Sequence, residues 1–149
     1  MRDALNNELL RSYANINKAY FQLLKIDAER MGITVVQLKT MYRISAHPNT
    51  GLGELAEILR LTKSTVSGVI DRLVHQGLVE RTIQSTDRRA INLKLTEKGQ
   101  KTLKQLFEGK SIVSEKTHEI MNMRKEDINK LLSLNNQILS ILTAREDIY

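Results

Sequence analysis

Residues 51–99 run GLGELAEILRLTKSTVSGVIDRLVHQGLVERTIQSTDRRAINLKLTEKG. At the start of this stretch Leu52, Leu55, Ala56 and Leu59 recur at helical spacing and form one apolar stripe. Leu61, in the turn that follows, can close over the same core, and Ala56 is small enough to let two helices cross closely. Gly51 and Gly53 do not make a phosphate loop, because neither a third glycine nor a Lys-Ser/Thr pair follows at the required spacing. They read as a glycine-containing loop that enters a helix.

A second helix follows at once. The Thr62 hydroxyl is suited to accept a hydrogen bond from an unpaired N–H at the helix start. Val66, Ile70, Leu73 and Val74 then share one face and should pack inward. The opposite face carries Ser64, Gly68, Asp71 and His75, flanked by Thr65, Ser67 and Arg72. Gly77 stands where a left-handed C-terminal cap belongs. A glycine inside a helix costs about 1 kcal/mol relative to alanine. Gly68 therefore reads as a point of close approach to a groove floor rather than a tolerated surface glycine.

Period-two alternation takes over next. Val79 and Ile83 alternate with polar neighbours, and Ile91, Leu93 and Leu95 alternate with Asn92 and Lys94, as in two half-buried strands. Between them lies the polar tip Gln84-Ser85-Thr86-Asp87-Arg88-Arg89. An arginine carried on such a hairpin can enter a narrow, electronegative minor groove. Hydroxyl side chains at a helix start can bond base edges or phosphates without blocking entry to the major groove. Helix, turn, helix and basic hairpin, in that order, make a winged helix-turn-helix. The expected fold is mainly α with a small β-wing.

ELAEIL, STVSGVIDRLVHQGLVER, DRR and LTEKG stand in an order and spacing that resemble the DNA-binding lobe of the multiple antibiotic resistance regulator (MarR) family. The resemblance is densest over residues 51–99, and flanking helical segments extend it to most of the chain. It implies a homodimeric, sequence-specific transcription factor, a repressor released by a small-molecule ligand, and not an enzyme. By position it implies that Ser64, Thr65, Ser67 and Gly68 face the major groove and that Arg89 inserts into the minor groove. It places Arg72 in the interface as well, and Arg88 on phosphate or in solvent. Asp87 would orient the wing arginine or pair with Arg72, while acidic Asp71 is expected to pair rather than touch phosphate. The resemblance also implies a cleft for small aromatic compounds, near Tyr13, Tyr20, Met41 and Tyr42, although each of these suits core packing better. No cofactor is expected.

The flanks should carry the dimer. Leu5, Leu9, Tyr13, Ile16, Tyr20, Leu23 and Leu24 form a long helical stripe over residues 3–30. Thr34 and Gln37 have capping-box spacing for a helix that ends before His47-Pro48-Asn49. A further helix is expected from Thr96 through Leu103, Leu106, Phe107, Ile112 and Val113, bent at Gly109. Beyond Arg124, which takes the place of the usual Ser or Thr cap, Ile128, Leu131, Leu132, Leu134, Ile138, Leu139, Ile141 and Leu142 cover too broad an arc for an isolated surface helix. The expected organisation is one MarR-like domain over 1–149. Within it, residues 34–99 form the DNA-binding lobe, and 1–33 and 100–149 form dimerisation helices. A two-fold dimer would place two recognition helices about one turn apart on a pseudo-palindromic site.

Composition fits such a protein. The 149 residues carry a formal net charge of +6, which favours nucleic acid or an anionic surface as partner. No apolar run approaches the ~18 residues of a membrane span, and MRDALNNELL has no signal-peptide core. No membrane association and a cytoplasmic location are therefore expected. The absence of cysteine excludes disulfides, thiolate metal sites and thiol oxidation as sensing chemistry. His47, His75 and His118 are far apart and sit in no nucleophile motif. The alternative reading is a zinc-responsive regulator of the same fold, since Glu115, His118 and Glu119 can share a helix face.

Overall fold

The computed structural model describes residues 2–83 and 91–144. They form α1 (Arg2–Arg30), α2 (Val35–Ala46), α3 (Leu52–Leu59), α4 (Lys63–His75), β1 (Val79–Ile83), β2 (Ile91–Leu95), α5 (Glu97–Glu108), α6 (Ile112–Met121) and α7 (Lys125–Thr143). The chain divides into two compact units, residues 1–114 and 115–149.

In the first unit, helix ends are set by short local signals. The Thr34–Gln37 capping box is present in both directions: the Thr34 hydroxyl accepts from the Gln37 N–H, and the Thr34 N–H donates to Gln37 Oε1 at 2.8 Å. Gly77 takes φ 71° after α4. Its N–H reaches the Val74 carbonyl, and the Leu78 N–H reaches the Leu73 carbonyl at 2.9 Å. That paired arrangement closes the helix and turns the chain into β1. Arg60 closes α3 in the same left-handed conformation, with its own N–H on Glu57 and that of Leu61 on Ala56.

The core of this unit is built from Leu38, Met41 and Ile44 of α2, Leu55 of α3, Val66, Ile70 and Leu73 of α4, Leu93 of β2 and Leu106 of α5, all nearly inaccessible. On α4 the inward face also takes Val69, whereas Val74 is only half-buried. β1 and β2 pair antiparallel, Val79 opposite Leu95 and Arg81 opposite Leu93. Thr96 caps α5, accepting from Gly99 N–H at 3.0 Å and donating to the Gly77 carbonyl at 2.6 Å. Gly99 is required there, because a Cβ would run into the Leu78 carbonyl.

The single helix expected from Thr96 through Val113 is in fact two. Gly109 is extended (φ −99°, ψ −165°) and ends α5 rather than bending it. Ser111 restarts the chain: its hydroxyl donates to the Leu106 carbonyl and accepts from the Ser114 N–H at 3.0 Å. The α1 stripe divides in a different way. Leu24 and Ala28 are buried, Leu23 is half-buried, and Leu9, Tyr13, Ile16 and Tyr20 are exposed.

The second unit holds the rest of α6 and all of α7. No residue of α7 is buried. Leu131, Leu132, Leu134, Leu139, Ile141 and Leu142 are each at least 46% exposed, so this helix presents a broad apolar surface. Its start lacks a hydroxyl cap. Arg124 instead grips Asp127 with two hydrogen bonds, at 2.8 and 3.2 Å. Among the described residues no helix is long and apolar enough to cross a membrane.

Candidate nucleic-acid interface

α4 turns its N-terminal half outward. The Thr62 hydroxyl accepts the Thr65 N–H at 3.1 Å and meets the Thr65 hydroxyl at 2.8 Å. Ser64, Thr65 and Arg72 are exposed, and Ser67 and Gly68 are half-buried. These five residues lie on one helix, and Val66, Val69, Ile70 and Leu73 anchor its back in the core. A Cβ built on Gly68 meets nothing within 4 Å. Among the described residues no neighbour requires glycine at that position.

Asp71, on the same outward side, pairs with Arg81 of β1. The expected pairing role of Asp71 is thus filled by a residue that periodicity had not singled out. Alternation offered a cue, since Arg81 occupies a strand position in step with buried Val79. Asp87, Arg88 and Arg89 lie outside the described residues.

The C-terminal end of α4 is tied to its surroundings by amides. Gln37 Nε2 donates to Gln76 Oε1 at 3.2 Å, and Lys98 Nζ donates to the Gln76 carbonyl at 2.8 Å. That carbonyl belongs to a helix end, where a cation is favoured. The base of the outward face is thereby fixed to α2 and α5.

A separate cavity of about 590 Å³ is lined by Tyr20, Leu24, Leu38, Lys39, Tyr42 and Phe107. Tyr42 and Phe107 meet with ring centroids 5.5 Å apart at 54°. Of the four residues considered for a cleft, Tyr20 and Tyr42 line this cavity, and Met41 is fully buried core. Tyr13 is not among the lining residues. Lys39 and Phe107 were missed, since nothing local in the sequence brings α2 and α5 together.

The metal alternative finds no support in the geometry of the described residues. Glu119 is taken by Lys116, whose Nζ donates to it at 2.8 Å. That hydrogen bond holds the Lys116 ammonium above its usual pKa. Among the described residues no group of three or more His, Cys, Asp or Glu side chains is placed to hold a metal ion.

With this geometry in place, the sequence profile of the MarR family matches residues 33–91. Over residues 33–91 the chain is similar to the winged-helix domain of MarR-family proteins. MarR-family proteins are transcription regulators, not enzymes. The chain is 31% identical over 85 residues to the HTH-type transcriptional repressor MdtR of Bacillus subtilis, a match covering 57% of this chain and 55% of MdtR. It therefore spans little more than half the length of that relative. Apo MarR from E. coli is 26% identical, with a TM-score of 0.71 over 88% of this chain and 96% of that one. The fold is also that of Staphylococcus aureus MarR in complex with salicylate and kanamycin, at a TM-score of 0.75, 23% identity and 93% coverage of both chains.

Proposed function

We propose that this protein is a sequence-specific, homodimeric DNA-binding transcription regulator, acting in the cytoplasm as a repressor that a small aromatic ligand releases. The observation that carries the DNA reading is the outward face of α4, where Gly68 opens onto free space. A helix that keeps a costly glycine without an internal reason keeps it for something outside, and a groove floor is what a recognition helix meets. Ser64, Thr65, Ser67 and Gly68 enter the major groove in this reading. Arg72 and Arg88 contact phosphate, Arg89 reads the minor groove and Asp87 orients the wing arginine.

Homodimerisation is supported by the apolar surface of α7 and, separately, by the exposed half of the α1 stripe. Exposed apolar area on this scale is unusual for a lone chain, and a second copy is the commonest way to cover it. Two-fold symmetry then calls for a pseudo-palindromic site with half-sites about one turn apart.

The ligand reading rests on the cavity of about 590 Å³ lined by Tyr20, Tyr42 and Phe107. Its size and aromatic walls suit a small aromatic molecule. Lys39 on its lining favours one carrying a negative charge. Such a ligand releases DNA only by binding a DNA-incompetent arrangement more tightly than the competent one.

The test is selection of bound duplexes from a randomised pool, with wild type and Arg89→Ala compared. An enriched palindrome that Arg89→Ala binds ~1–3 kcal/mol more weakly is the expected result. No enrichment at low salt from a folded protein would overturn the reading.

A further inference from the structure

The register of the wing hairpin puts an arginine on the wrong side. Arg81 stands opposite Leu93, two residues from Val79, which stands opposite Leu95. Val79, Leu93 and Leu95 are all buried, so this is the inward face of the hairpin. Side chains on one face of a strand recur every second residue, and an apolar residue is expected there. Arg81 instead extends from that position to the carboxylate of Asp71 on α4. Asp71 is equally out of place: it puts a negative charge on the outward face of α4, seven residues beyond Ser64 and three beyond Gly68.

Stability does not account for the pair. The two side chains are 35% and 60% exposed, and an ion pair so open to water adds little to folding. Net charge does not account for it either, because an aspartate on a surface that meets phosphate opposes binding. What the pair does supply is geometry. A guanidinium reads a carboxylate in a defined orientation, which links the first strand of the wing to the middle of α4.

We propose that Asp71 and Arg81 are positioning residues that set the wing against the recognition helix, so that both elements engage one duplex together. This rests on the DNA-binding reading above. Arg81 acts here through Asp71 and not as a phosphate contact.

The test is a double-mutant cycle of Asp71→Asn, Arg81→Gln and the double variant, on the duplex selected by wild type and across a salt series. Thermal unfolding run alongside confirms that each variant folds. Each single variant should bind about tenfold more weakly, a loss within the range of couplings between contacting residues. The double variant should lose no more than either single. The dependence of affinity on salt should stay as in wild type, because no phosphate contact is lost. Tighter or unchanged binding by Asp71→Asn would overturn the proposal, since a merely repulsive aspartate predicts that gain. A salt slope lowered by about one for Arg81→Gln would also overturn it, by marking a direct phosphate contact. Failure of wild type to bind any duplex would instead remove the DNA-binding reading.

Discussion

Asp27 of α1 caps the start of α6, its two carboxylate oxygens accepting the N–H groups of Ile112 at 3.1 Å and Val113 at 2.9 Å. The carboxylate is 2% exposed, and the Arg30 guanidinium stands 3.7 Å away. A buried negative charge is tolerated only where it is hydrogen-bonded or paired, and here the N–H groups of a helix start serve it.

Asp27→Ala should therefore destabilise the fold by ~1–3 kcal/mol, because two buried N–H groups lose their acceptor. Asp27→Asn should cost less, since it keeps one carbonyl oxygen. Urea unfolding of the three proteins measures this. Equal midpoints for wild type and Asp27→Ala would show that the capping bonds contribute nothing.

Gly68→Ala should move stability and binding in opposite directions. The methyl group meets open space, so the helix should gain ~0.5–1 kcal/mol. Affinity for the selected duplex should fall, because that methyl would stand between the helix backbone and the groove. Unfolding and fluorescence anisotropy on the same samples provide both values. A stabilised variant with wild-type affinity would remove Gly68 from the interface.

The two left-handed helix ends predict opposite responses to substitution. Gly77 (φ 71°) ends α4, and Arg60 (φ 53°) ends α3. Gly77→Ala should cost ~1–2 kcal/mol from backbone strain alone, since its added Cβ clashes with nothing. Arg60→Gly should relieve similar strain, offset in part by greater freedom of the unfolded chain. Thermal unfolding that placed both variants on the same side of wild type would contradict this.

Ile141→Asp reports on self-association. Ile141 is 74% exposed on α7, so the substitution should leave secondary structure and local packing as they are. Within an interface an unpaired carboxylate leaves water, which costs several kcal/mol per ion. Sedimentation should show a dimer weakened by ~2 kcal/mol or more. An equally tight dimer would mean that α7 lies outside the interface.

Much of the first unit was legible because its signals are short-range. Thr34 and Gln37 are three residues apart and form a reciprocal cap. Gly77 takes the left-handed conformation expected of it, and strand alternation marks β1 and β2. The break at Gly109 was read as a bend because the hydroxyl that restarts the helix, on Ser111, looks like an ordinary polar residue until it finds the Leu106 carbonyl. On the outward face of α4, Ser64, Thr65 and Arg72 are exposed as their helical positions require. Arg81 escaped notice because its partner sits ten residues back, on another element.

By itself, the sequence determined the order of helices and strands up to the break at Gly109, most of their ends, the inward and outward faces of α4 and the lack of any thiol chemistry. Each depends on interactions within a few residues, where the backbone leaves few alternatives. The tertiary structure decided which long-range partners meet: Asp27 with Val113, Arg81 with Asp71, and Tyr42 with Phe107 across the cavity. Those contacts join residues on separate elements, and no periodicity along the chain encodes a distance between them. Only packing of the helices around Leu38, Met41 and Ile70 brings such pairs within reach.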